Sequence, residues 1–72
     1  MTINKQLGAR IRYLRQQKNM SIEDLSLEAN VNRNYLSDLE RGTRNPSLAI
    51  LNRIATALGI VLSTLFEGIV EI

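Results

Sequence analysis

Ile3, Leu7, Ile11 and Leu14 follow one another at steps of four, four and three, with Gln, Lys and Arg prominent between them. That spacing is the stripe of an amphipathic helix and predicts helix over residues 3–18. Asn19, which tolerates the left-handed conformation, is the expected stop, with Met20 turning inward after it. From Ile22 to Gly42 the rhythm changes. Leu25, Ala29, Val31, Leu36 and Leu39 stand four, two, five and three apart, which no continuous helix brings to one face. Two short helices over 22–29 and 33–41, crossing steeply about a turn at residues 30–32, share these residues in one core: a helix-turn-helix pattern. Ser21-x-x-Asp24 approximates a capping box for the first of the two, with Glu23 and Asp24 favoured by the helix dipole. Asn30 is expected at positive φ in the turn, and Asn32 caps the second helix. Ser26 and Ala29 are small enough for a close crossing.

Residues 43–46 read as a loop, since Pro46 disfavours helix at Asn45. Ser47 caps a fourth helix over 47–58 whose apolar face is Leu48, Leu51, Ile54, Ala55 and Leu58, and Gly59 ends it. A short fifth helix over 62–67, capped by Ser63, would bury Leu62, Leu65 and Phe66. Ile69, Val70 and Ile72 then leave β-branched apolar residues with little to cover them in a monomer. The expected architecture is all-α, five helices in one domain spanning residues 1–72.

Composition narrows the chemistry. At 72 residues, 44% of them hydrophobic, the chain is folded rather than disordered. A core of this size supplies on the order of 3–5 kcal/mol, so tight packing or a dimer interface must complete its stability. With no cysteine and no histidine, disulfides, thiolate zinc sites and histidine-based catalysis are outside its reach. No metal or other cofactor is expected. The polar, basic start lacks the apolar core of a signal peptide, and the most apolar run, 59–62, is far too short to span a bilayer. A cytoplasmic protein without membrane contact is the expectation.

The net charge is only +2, but its distribution is uneven. Lys5, Arg10, Arg12, Arg15 and Lys18 crowd the first twenty residues without an acid. Glu23, Asp24, Glu28, Asp38 and Glu40 face Arg33 alone in the next twenty, and Arg41, Arg44 and Arg53 follow. Folding can gather such cations on one surface, which nucleic acid favours; ordinary solvation is the plain alternative.

The segment YLSDLERGTRNPSL, behind MSIEDLSLEANV, resembles the Cro/cI-type (XRE) helix-turn-helix domain over residues 3–67. The likeness joins a hydrophobic grid to Leu-Glu-Arg-Gly and Arg-Asn-Pro-Ser at fixed distances. RNYLS followed by ERGTRNP is especially similar to the controller proteins of restriction–modification systems. The resemblance implies a compact lambda-repressor-like fold and a dimeric regulator. Two positions depart from the family pattern. Ile22 stands where a DNA-backbone-contacting Gln is common, and Asn30 stands where the turn usually has Gly.

In this motif the N-terminal end of the second helix of the pair enters the major groove. Arg33 can then pair with guanine O6 and N7 and Asn34 with adenine N6 and N7, each giving roughly 1–3 kcal/mol of discrimination. Ser37, one turn on, is the third base-contact candidate. The bland alternative for all three is a solvated helix face. Tyr35, Thr43, Arg44, Asn45 and Ser47 are candidates for phosphate contact; Lys5 and Arg10 are more remote ones. Asp38 could accept from cytosine, orient Arg33 or Arg41, or penalise wrong sequences, with an intramolecular role favoured. The resemblance implies an ion pair between Arg15 and Glu40 that sets the angle of the reading helix.

The expected function is therefore sequence-specific binding of double-stranded DNA in transcriptional regulation. One helix on one half-site offers thin specificity over a genome. A homodimer through Leu62, Leu65, Phe66, Ile69 and Val70, within residues 60–72, would double the readout. Its operator would be a near-palindrome with half-sites about one turn, roughly 34 Å, apart. The competing reading is an antitoxin-type module whose apolar tail binds another protein. An enzyme is a poor fit, because no nucleophile motif, paired carboxylates or Gly-rich loop is present. No small-molecule ligand is expected in so short a chain.

Overall fold

A computed structural model describes residues 2–70. It contains five helices: α1 (Ile3–Gln17), α2 (Ile22–Ala29), α3 (Arg33–Glu40), α4 (Leu48–Ala57) and α5 (Leu62–Leu65). No strand occurs among the described residues. The expected all-α architecture is thus observed, and Ile72 lies outside the described residues.

Each boundary has a local cause. Thr2 opens α1 by accepting from the Lys5 N–H at 3.2 Å. Asn19 leaves the helix in the left-handed region at φ 56°. Ser21 and Asp24 form a full capping box, Asp24 N to Ser21 Oγ and Ser21 N to Asp24 Oδ2, both at 2.9 Å. The bond from the Ser21 backbone N–H foremost, with the Ser21 hydroxyl beside it, holds the Asp24 carboxyl below the ordinary carboxylate range. Asn30 ends α2 at φ 55° and ψ 50°, a conformation that Asn adopts at small cost. Asn32 Oδ1 then accepts from the Tyr35 N–H at 3.0 Å and starts α3. Ser47 caps α4 through the Ile50 N–H at 3.2 Å.

The fifth helix differs from expectation. Val61 is its N-cap residue, without a side-chain cap bond, so Ser63 lies inside the helix rather than ahead of it. The helix is a single turn, and Gly68 at φ 79° redirects the chain before it could lengthen.

The packing is α1 on α3, α2 on both α3 and α4, and α4 on α5. Leu7 and Ile11 from α1, Leu25 and Ala29 from α2, Leu36 and Leu39 from α3, Leu51, Ile54 and Ala55 from α4, and Leu58 and Leu65 make the buried core. Two stripe residues miss it. Ile3 is 52% exposed and Leu48 is 70% exposed; both begin their helices, where the apolar stripe runs past the edge of the neighbouring helix. Leu65 corrects the expected dimer surface in the opposite sense: it is 0% exposed. The single turn of α5 lies on α4 and places Leu65 in the core of its own chain, where no second copy can reach it.

Gly8 allows the closest approach of α1 to α3. A Cβ there would stand 2.4 Å from the Leu39 carbonyl oxygen and 2.5 Å from that of Glu40. Backbone atoms cannot yield as a flexible side chain would, so the crossing needs a residue without Cβ.

Two arginines from the basic segments serve the fold. Arg10 donates to the Thr64 carbonyl oxygen at 2.9 Å, tying α1 to α5. Arg53, on α4, donates to the carbonyl oxygens of Ala29 at 3.2 Å and Asn30 at 2.7 Å. These are carbonyls at the end of α2 that the left-handed turn leaves without helical partners. No helix among the described residues is long and apolar enough to cross a membrane.

Candidate nucleic-acid interface

The orientation of α3 follows from its core residues. Leu36 and Leu39 are fully buried, three positions apart on the inner face, and this turns Arg33, Asn34 and Ser37 away from the core. The Arg33 side chain is 60% exposed, with Nε 3.9 Å from Glu23 Oε1 on α2. A pair that open to water is weak and readily exchanged for another partner. Asn34 is exposed and Ser37 is half-buried. The three proposed base-contacting residues therefore share the outer side of one helix, with Arg33 at its first position.

Of the proposed phosphate set, Tyr35, Thr43 and Arg44 come together around Asp38, while Asn45 and Ser47 lie farther along the chain. Tyr35 is half-buried, its body packed on the core, and the Arg44 guanidinium carbon lies 5.2 Å from its ring centroid, within cation–π range. The Asp38 carboxylate accepts from Arg41 Nη2 and from Arg44 Nε and Nη2, each at 3.4 Å. Asp38 thus has the intramolecular role expected of it, with Arg44 as a partner that spacing alone did not indicate; Arg33 instead faces Glu23.

Thr43 is placed differently from expectation. Its hydroxyl donates to the Asp38 carbonyl oxygen at 3.1 Å, beside the Thr43 N–H to the same atom at 3.1 Å. A hydroxyl has one proton, so Thr43 holds the loop and has none left for a phosphate in this conformation. Ser47 is used only as an acceptor in its cap, and that role leaves its O–H able to donate. Asn45 is exposed and contributes to the rim of an apolar groove of about 220 Å³ formed with Ile3, Leu7, Pro46, Leu51 and Phe66. Arg10, half-buried, and Arg53, exposed, have guanidinium donors engaged with backbone carbonyls.

Behind the face, Arg15 Nε bonds Glu40 Oε2 at 2.7 Å and Arg15 Nη2 bonds Glu40 Oε1 at 3.0 Å. The Glu40 bond raises the Arg15 pKa against the opposing effect of burial. At the other end of the chain Leu62 and Ile69 are half-buried, while Val70 is exposed and so, against the expected burial in α5, is Phe66, which follows the last residue of that single turn. The Gln6 side-chain amide anchors this tail, donating to the Val70 carbonyl oxygen at 2.7 Å and accepting from its N–H at 2.9 Å.

The contribution of Gly8 was not legible, since a glycine inside a helix stripe gives no sign of what crosses it. Arg53 was equally hidden, because its partners come from a turn 23 residues earlier in the chain. The Asp38–Arg41 spacing of three was visible as a helical pair; the return of Arg44 over Tyr35 required the loop geometry.

This arrangement has counterparts. Residues 11–65 match the helix-turn-helix family HTH_3. Control protein C.BamHI of Bacillus amyloliquefaciens is 48% identical over 63 residues, covering 83% of this chain and 78% of that protein. The HTH-type transcriptional regulator DdrOP3 of Deinococcus deserti is 43% identical over 63 residues, covering 88% of this chain but 49% of its own length, so the chain spans about half of that longer relative. Among solved structures, the restriction–modification controller protein C.AhdI from Aeromonas hydrophila superposes with a TM-score of 0.84 at 41% identity, covering 89% of this chain and 96% of that one. The controller protein C.Esp1396I, crystallised as a tetramer with its natural 35-base-pair operator, gives 0.85 at 30% identity, covering 93% of this chain and 88% of that one. With three-quarters of its length matched by the family model and its fold shared with these two solved structures, the chain belongs to the HTH_3 helix-turn-helix family.

Proposed function

We propose that this protein is a sequence-specific, double-stranded-DNA-binding transcriptional regulator that acts as a homodimer on a near-palindromic operator, in the manner of a restriction–modification controller protein. One observation carries the reading. The buried side of α3 is filled by Leu36 and Leu39, while Arg33 and Asn34 stand exposed at its N-terminal end, the end that enters the major groove in this motif. Arg33, Asn34 and Ser37 read base edges. Tyr35, Arg44, Asn45 and Ser47 position the phosphate backbone.

Homodimer formation is supported by the apolar surface left by Leu62, Phe66, Ile69 and Val70, with Leu65 removed from that set. The controller relatives' similar size and the tetrameric operator complex of C.Esp1396I favour self-association on DNA. The reading requires no cofactor or small-molecule ligand, assigns the chain no reaction, and places it in the cytoplasm with the DNA it binds.

Selection of bound fragments from random duplex DNA tests this. Two inverted half-sites with centres about one helical turn apart are expected. Absence of any enriched sequence would overturn the reading. A single unpaired half-site would leave DNA recognition standing and remove the dimer.

A further inference from the structure

Asp38 is an acid set among the cations of the proposed DNA face. Its side chain is 26% exposed. One carboxylate oxygen takes the bond from Arg41 and the other takes both bonds from Arg44. Its main-chain oxygen receives the Thr43 N–H and hydroxyl. Both ends of this residue therefore fix the loop that follows α3, and the Tyr35 ring supports Arg44 from another side.

Such a carboxylate weakens binding to any duplex, because it repels phosphate and competes for the same guanidinium hydrogens. What it supplies in return is direction. A guanidinium has five N–H donors in a planar fork. With Arg44 Nε and Nη2 turned to Asp38, the end-on pair of Nη1 and Nη2 protons is left facing one direction and serves a phosphate at one place. An unrestrained arginine reaches phosphates at many places, and only duplexes bound out of register gain from that freedom.

We propose that Asp38 is a positioning residue that determines specificity: by holding Arg44 and Arg41 it lowers affinity for non-specific duplex more than for the operator, and so widens the ratio between them. The inference rests on the DNA-binding reading above.

The test uses the full chain, wild type and Asp38→Asn. Each is titrated by fluorescence anisotropy, over a range of salt, with the duplex enriched by the wild type and with a scrambled duplex of equal length. For Asp38→Asn, the scrambled duplex should be bound about fivefold tighter, with a salt slope steeper by about one unit, as expected for one more phosphate contact. The enriched duplex should change by less than about twofold. In an Arg44→Gln background the same Asp38→Asn substitution should lose most of its effect on the ratio.

Equal tightening on both duplexes would overturn the proposal and leave Asp38 a simple repelling charge. So would a full-sized effect without Arg44. Far-UV circular dichroism checks folding, with Asp38→Ser as a second variant; if both unfold, Asp38 is a structural residue and the proposal falls. A wild type that prefers neither duplex would instead defeat the DNA-binding reading itself.

Discussion

The Arg15 guanidinium meets the Glu40 carboxylate side-on, through parallel bonds of 2.7 and 3.0 Å, although the two residues are 25 apart in sequence. The contact joins α1 to the last residue of α3. A third bond, Arg15 Nη1 to the Met20 carbonyl oxygen at 2.9 Å, brings in the turn before α2. The side chains are only 13% and 8% exposed. Removing one partner would leave the other charged and poorly solvated, which costs more than the pair contributes. Glu40→Ala should destabilise the fold by roughly 3 kcal/mol, a fall in Tm of about 10–20 °C for a domain this small. Thermal melts check this. The apolar double variant Arg15→Met/Glu40→Leu should recover much of the loss. A Glu40→Ala Tm within a few degrees of wild type would show that the pair is too well solvated to matter.

Gly8 is the steric counterpart of that ion pair, at the same α1–α3 crossing. Because a methyl group would meet the Leu39 and Glu40 carbonyl oxygens below 3 Å, Gly8→Ala must push the helices apart. The expected cost is about 2–3 kcal/mol, typical of overpacking, despite the better helix propensity of alanine. Denaturant unfolding measures it. An unchanged or raised midpoint would mean that the crossing is looser than these distances.

Asp24 gives the stability a dependence on acid. Its carboxyl is held below the ordinary range by the Ser21 bonds. A depressed folded-state pKa contributes stability that is present above the unfolded value and lost as pH falls through the folded one. Wild type should therefore lose Tm in the acid range partly through Asp24, and Asp24→Asn should show a shallower decline there while starting lower at neutral pH. Melts from neutral pH down to strongly acidic pH compare the slopes. Parallel curves would remove Asp24 from the acid response.

The tail separates folding from assembly. Leu65 is buried in its own chain, whereas Phe66 is 37% exposed beside the groove that Ile3 and Leu51 help to line. Phe66→Glu should leave helical content intact and shift the protein from dimer to monomer in sedimentation. Leu65→Ala should lower stability by roughly 2–5 kcal/mol. If Phe66→Glu sediments as the wild type does, the dimer uses another surface.

Much of this was legible from spacing and caps. The helix stripe of Leu7 and Ile11, the Ser21–Asp24 box, the left-handed Asn19 and Asn30, and the inward Leu36 and Leu39 all obey local rules, so they could be read residue by residue. The Arg15–Glu40 pair was reached through family resemblance, because nothing local links positions so far apart. What local rules missed depends on three-dimensional neighbours. Ile3 and Leu48 fit their stripes but overhang the core, and Leu65 fits an interface but fills the interior. Thr43 looks like a free loop hydroxyl until the loop folds back onto Asp38. On the outer side of α3 the residue types were visible, while the tethering of Arg44 by Asp38 and Tyr35 depends on how the loop after α3 folds back.

The central claim is that the exposed side of α3 reads base edges through Arg33. Its most direct test is the base-preference matrix from random-duplex selection, measured in parallel for wild type and Arg33→Ala. The expected result is loss of preference at one base pair in each half-site, worth roughly 1–3 kcal/mol, with the other positions and the half-site spacing retained. An Arg33→Ala matrix that matches wild type at every position would contradict it.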